Sequence, residues 1–375
     1  MPRRTFAKPE DSKREPQGTK SDNCGVLIEG AVESMCRLHR WLLLLTLAAA
    51  AQVAAAGELL ENQTFDRYSP LAAANEFSRR VFSPTTHDRL LRFQQHIGQR
   101  PMEQTIDLNR ERFDIWVPET RPERGYGLLI FVSPMPRWDL TRDWKRELDR
   151  AGIIYVAAQR SGNTENVYER RIPLALHAYA NLTARYPVDP ERVYISGFSG
   201  GSRTAVRIAA AYADVFHGAL LIGGAKVIGE EDFAPPPAEL MMLLQQRMRV
   251  VYSTGGNDTP NRVLDARGRQ EMRHRCVAGV YDISQRRLDH WVPLARTLRK
   301  AIERLDRPLS AAELSEQARC MPGLLAQVEA DLAAAEQAYA AGNAKRAGEL
   351  LGAADIVWGG LASERLVKLA RLLAP

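Results

Sequence analysis

The feature that most constrains this chain is Gly197-Phe198-Ser199-Gly200-Gly201. It follows the apolar run Val193-Tyr194-Ile195 and opens a helical stretch from Ser202 to Ala211. A serine at so sharp a strand-to-helix corner takes a strained backbone conformation, so its neighbours must lack bulk. Gly197 and Gly201 let strand and helix approach closely. Gly200 leaves the amide after the serine free to donate toward a developing negative charge.

A serine held this way becomes a nucleophile only with a base, and the base needs an orienting acid. Two later segments fit, in the chain order Ser, acid, His. Arg249 to Ser253 reads as a buried strand and runs into Thr254-Gly255-Gly256-Asn257-Asp258-Thr259-Pro260, placing Asp258 on a loop at a strand's carboxyl end. Val277 to Ile283 reads as the next strand, followed by Leu288-Asp289-His290-Trp291 and an amphipathic helix from Leu294 to Leu305. Of the seven histidines, His290 alone lies on the right side of that strand. Ser199, Asp258 and His290 are therefore the candidate nucleophile, acid and base. A Gly-Gly-Asn-Asp run also suits any turn, so Asp265 stands as the substitute acid.

The segment Asp189-Pro190-Glu191-Arg192-Val193-Tyr194-Ile195-Ser196, with the pentad after it, resembles the elbow region of α/β-hydrolases. The likeness is to secreted bacterial esterases of the polyhydroxyalkanoate depolymerase and feruloyl esterase type. The stretch from Asn163-Thr164 through Arg170-Arg171-Ile172-Pro173-Leu174-Ala175-Leu176 resembles the helix that precedes the elbow there. The similarity covers about residues 112–305. It implies a mostly parallel sheet with helices on both faces, and ester hydrolysis through an acyl-enzyme. Serine peptidases of the same fold share Gly-x-Ser-x-Gly-Gly and remain an alternative. So does a binding protein that keeps the fold without the chemistry.

One departure bears on activity. Many such enzymes carry His-Gly or His-Gly-Gly-Gly after the third strand, which supplies a second oxyanion amide. Here Leu128 to Val132 is followed by Ser133-Pro134-Met135-Pro136-Arg137-Trp138, and two of those positions lack an amide hydrogen. Met135 is the preferred second donor beside Gly200, with Arg137 the other choice. The loop Gln159 to Asn166 follows the strand Ile153 to Ala158 on the same rim, and offers Arg160 and Asn163 as substrate contacts.

Other partners find little support. The net charge of +6 is dispersed, and no basic cluster is interleaved with aromatics, which argues against nucleic acid. No Cys-x-x-Cys, no His-x-His and no phosphate-cradling Gly-x-x-x-x-Gly-Lys occurs, so neither a metal nor a cofactor is expected.

Residues 1–56 read as an N-terminal extension and export signal. Met35 serves as the start, Trp41 to Val53 as the apolar run and Ala54-Ala55-Ala56 as the cleavage site before Gly57. This predicts a periplasmic or secreted protein, an inner-membrane anchor being the alternative. Export would leave Cys276 and Cys320 in an oxidising compartment, able to pair. Within residues 57–308 the hydrolase domain is expected. Ala72 to His96 reads as largely helical, and Glu103 to Leu108 as a strand paired with Arg112 to Val117. Residues 309–375 are expected to be helical, with Ser310 as cap. Ala333 to Ala354 looks like a single tetratricopeptide hairpin turned at Gly342-Asn343. That tail would cover the hydrolase, mediate self-association or meet another envelope protein.

Overall fold

The computed structural model describes residues 57–99, 103–230 and 232–374. Its centre is one eight-stranded sheet: β1 (Glu58–Gln63), β2 (Phe113–Val117), β3 (Tyr126–Val132), β4 (Ile153–Ala158), β5 (Val188–Phe198), β6 (Gly218–Ile222), β7 (Arg249–Ser253) and β8 (Gly279–Asp282). The spatial order is β1-β2-β4-β3-β5-β6-β7-β8. β1 and β2 run antiparallel to their neighbours, and every pairing from β4 onward is parallel. This is the α/β-hydrolase fold.

The apolar alternation of the strands explains why helices cover both faces. Leu128, Ile130 and Val132 of β3 enter one core, and Leu129 and Phe131 enter the other. The first core is closed by α4 (Ile172–Arg185), α5 (Gly200–Ala211), α6 (Ala238–Gln246) and α7 (Thr259–His274), the second by α3 (Arg142–Ala151) and α8 (Ala295–Asp306). Strands buried on both faces must be apolar throughout, as β3 is from end to end.

Two expectations are corrected at the sheet's first edge. The partner of β2 is Glu58–Gln63, with Leu59 opposite Trp116, and Glu103 to Leu108 forms no strand. In the latter, Ile106 and Leu108 are buried, but Asp107 accepts a hydrogen bond from the Asn109 amide and turns the chain into a single 3-10 turn. β1 is mostly polar because an edge strand exposes most of its residues. The helical stretch Ala72 to His96 is two helices, α1 (Ala74–Val81) and α2 (Pro84–His96). They break where Ser83 caps the second and Pro84 starts it.

The tail consists of α9 (Ala311–Ala340), α10 (Ala344–Trp358) and α11 (Ser363–Leu373). Ser310 and Glu313 form a reciprocal cap at the start of α9. Gly342 at φ +75 and the Asn343 side chain turn the chain into α10. Cys276, just before β8, is bonded to Cys320 of α9. The Asp355 carboxylate accepts from the Thr85 amide and hydroxyl, and Arg371 pairs with Asp88, so the tail is also tied to α2. The described residues from Gly57 onward form one unit. The expected export signal lies outside the described residues. Among the described residues, no helix is long and apolar enough to cross a membrane.

Candidate active site

Ser199 occupies the corner between β5 and α5 at φ +54, ψ −120, a conformation a non-glycine residue holds only where its surroundings enforce it. The enforcement is visible. A Cβ at Gly197 would meet the Gly201 backbone, and one at Gly201 would meet the Val132 carbonyl at the end of β3. The Ser199 amide donates to the Ile222 carbonyl of β6 at 2.8 Å, pinning the corner to the next strand.

His290 lies on the loop after β8. Its Nε2 stands 2.9 Å from Ser199 Oγ and its Nδ1 2.6 Å from Asp258 Oδ2. With the ring proton on Nδ1 donated to Asp258, Nε2 is free to accept from the serine hydroxyl. The Phe198 ring lies against the imidazole at 4.7 Å. Asp258 is buried at the head of α7, where the helix dipole favours a carboxylate.

The two loops are also fastened to each other. Asn257 donates its amide to the Leu288 carbonyl and its side chain to Asp289. The Gly255-Gly256 pair has a specific reason in this crossing. A Cβ at Gly255 would strike the Leu288 and Asp289 carbonyls, and one at Gly256 the Arg286 carbonyl.

A residue missed from the sequence completes this side. Asn261 donates from Nδ2 to both oxygens of Asp258, at 2.9 and 3.0 Å. It sits three residues on, in the first turn of α7, where i,i+3 side chains share a face, and that spacing is its signal. Asp265 goes elsewhere. Its carboxylate accepts from the Ala225 amide at 2.7 Å and from the Thr254 hydroxyl, and burial pushes its pKa up to about 6.

The opposite side of Ser199 is formed by the loops after β3 and β4. Gly200 is the first residue of α5, so its amide has no intrahelical acceptor. Met135 is exposed on the loop after β3, and its amide donates to Ser133 Oγ at 2.9 Å. Arg137 directs its guanidinium to Asp114 and Glu61. Asn163 is exposed, with its carboxamide over the Cα of Gly200, beside the nucleophile. Arg160 turns away, donating to the Arg110 carbonyl at 2.8 Å and to Glu111 at 3.2 Å. The arrangement therefore brings Ser199, His290, Asp258, Gly200 and Asn163 together and leaves the Arg160 charge engaged elsewhere. Chemically, Ser199 can pass its proton to His290 as Oγ attacks a carbonyl carbon, Asp258 stabilising the imidazolium that forms.

No protein-family model matches the chain, nor does any curated protein sequence. Among solved structures it is similar to a thermostable esterase at 16% identity and TM-score 0.37, over 53% of this chain and 60% of that one. S-formylglutathione hydrolase (FrmB) from Staphylococcus aureus is similar at 12% identity and TM-score 0.38, over 52% and 92%. An acylaminoacyl peptidase is similar at 14% identity and TM-score 0.41, over 54% and 40%. Scores at this level add nothing to the strand order and the site geometry.

Proposed function

We propose that this protein is a serine hydrolase, and specifically a carboxylesterase that works through an acyl-enzyme on Ser199. The observation that carries the reading is the unbroken line from Ser199 Oγ to His290 to the buried Asp258, on a corner strained at φ +54. His290 takes the serine proton, then returns it to the leaving alcohol. Water resolves the acyl-enzyme by the same relay in reverse.

The surroundings favour an uncharged ester. Trp138 packs against Phe198 and Trp291, each at 5.7 Å between ring centres, and both Trp291, next to His290, and Met135, on the loop after β3, are half-exposed. The His290 side chain is 41% exposed, an openness that suits a bulky or polymeric ester as well as a small one. A second reading, a binding protein on the same fold, draws on one observation: the Met135 amide is engaged by Ser133. We assign the protein to the periplasm or the exterior. The apolar run before Gly57 supports this, as does the Cys276–Cys320 bond, of a kind that persists in oxidising compartments. The tail helices are assigned the covering of α2 and β8, with self-association or contact to an envelope protein as their further role.

The test is intact mass after fluorophosphonate treatment of wild type and Ser199→Ala, both expressed from Gly57. One adduct on wild type and none on the variant is expected. No adduct on folded wild type hands the case to the binding reading.

A further inference from the structure

We propose that Arg171, a residue that touches no substrate, is the positioning residue that assembles the oxyanion side of this site. The inference rests on the serine-hydrolase reading above. Arg171 ends a π-turn, Val167–Arg171, which Asn166 opens by accepting from the amides of Tyr168 and Glu169. Such turns reposition one side chain relative to the helix that follows. Here that side chain is driven inward and is only 3% exposed.

Its guanidinium donates to three carbonyls on three different loops. Nη2 reaches Ser133 after β3 at 2.9 Å, Nε reaches Ser161 after β4 at 2.9 Å, and Nη1 reaches Gly200 at the elbow at 3.3 Å. A planar fork of five donors can serve three acceptors at fixed angles, which an ammonium cannot. Among the ion pairs of the described residues none includes Arg171. A cation buried without a carboxylate is expensive. Burial pulls its pKa down to about 10, with repulsion from Arg207 added and attraction from Glu165 opposing it, and it still carries its charge at neutral pH.

The reason for this expense lies in the proline-containing strap Ser133-Pro134-Met135-Pro136. With two amide hydrogens missing, the strap keeps the Met135 amide for its internal bond to Ser133 Oγ, and its carbonyls tie it to the rest of the fold. Ser133 is held by Arg171, Pro134 by the Asn163 amide at 3.0 Å, and Pro136 by the Arg160 amide at 2.6 Å. Arg171 also fixes the Ser161 carbonyl, so it anchors the loop that supplies those two amides. The same group thus sets the strap bearing Met135 and the peptide that follows Gly200. Each candidate oxyanion amide lies one peptide away from a carbonyl that Arg171 holds, and the guanidinium charge favours negative charge forming on that side.

The test uses the full mature chain with Arg171→Lys and Arg171→Met, an uncharged p-nitrophenyl ester and a trifluoromethyl ketone. The ketone forms a tetrahedral adduct on the serine and so reports oxyanion stabilisation directly. Expected is a loss in kcat of about 10- to 100-fold with KM little changed, and a matching weakening of ketone inhibition. Should Arg171→Met fail to fold, the charge-retaining Arg171→Lys decides. A folded Arg171→Lys with wild-type kcat and wild-type ketone affinity overturns the proposal alone. A wild type inert to both ester and ketone overturns the hydrolase reading and takes this proposal with it.

Discussion

The two sides of Ser199 are built on different principles. On the acid–base side, the loops after β7 and β8 hold each other: Asn257 bonds the His290 loop, glycines make room for it, and Asn261 fixes Asp258 from the next turn of the same chain segment. The bonds between these two loops lie within residues 254–294, and one fastening comes from outside, the Trp144 indole of α3 donating to the Pro293 carbonyl at 3.1 Å. On the oxyanion side, the loops after β3 and β4 and the elbow come from three parts of the chain and meet at a group from a fourth, Arg171. The first side is specified mostly by its own two loops and works through a proton relay. The second is specified remotely and carries a fixed charge. A site divided this way should respond to substitution in two distinguishable manners.

The largest effects belong to the acid–base side. Asp258→Asn should lower kcat by ~10³–10⁴-fold, because an amide in that place offers His290 the wrong hydrogen-bonding partner and tautomer. Asn261→Ala should cost less, about tenfold, through freedom of the Asp258 carboxylate rather than loss of charge. It should return to near wild type in Asn261→Gln only if the donor can still reach. Steady-state kinetics on one ester checks both. A wild-type rate in Asp258→Asn would break the comparison at its strongest point and move the acid to Asp265.

Asp265 sharpens the contrast, since it lies one helical segment from Asp258 and is expected to do nothing for turnover. Its pKa is raised from 3.8 to about 6, chiefly by burial. Between those values the folded protein retains a proton that the unfolded chain releases, so this group makes stability fall as pH rises from about 4 to 6. A gap of about two units corresponds to roughly 3 kcal/mol. Asp265→Asn should remove that slope from urea midpoints measured across the window while leaving kcat alone. A parallel loss of activity would show that the bonds Asp265 accepts from Thr254 and Ala225 position the acid loop.

What could be read beforehand follows the same division. The elbow was legible because a local sequence, Gly-x-Ser-x-Gly-Gly after Val193-Tyr194-Ile195, dictates a local geometry. Asp258 and His290 were legible because each follows an apolar strand in chain order. β1 was not, since Glu58 to Gln63 carries almost no apolar pattern and becomes a strand only because β2 offers it an edge. The prolines of the strap were read as lost donors, whereas the fold uses their carbonyls as handles. Arg171 left one trace, a charge at the head of the apolar run Ile172-Pro173-Leu174-Ala175-Leu176. Its three acceptors are 10, 29 and 38 residues away, where no pattern along the chain could find them.

The smallest expected effect tests the strap itself. Ser133 is 1% exposed, its carbonyl accepts from Arg171, and its hydroxyl accepts from the Met135 amide at 2.9 Å. If Met135 is the second oxyanion donor, that hydroxyl competes with the developing oxyanion for one hydrogen. Ser133→Ala then releases the competitor, leaves the Arg171 clamp in place, and should raise kcat by up to about threefold at unchanged KM. Because the freed amide lies on an exposed residue, water satisfies it and stability should barely change. A fall in kcat would mean that the hydroxyl holds the strap's turn, and the donor role would pass from Met135 to Arg137. Either result separates the geometry of the strap from the field beneath it, since Arg171 keeps its charge and its acceptor in both.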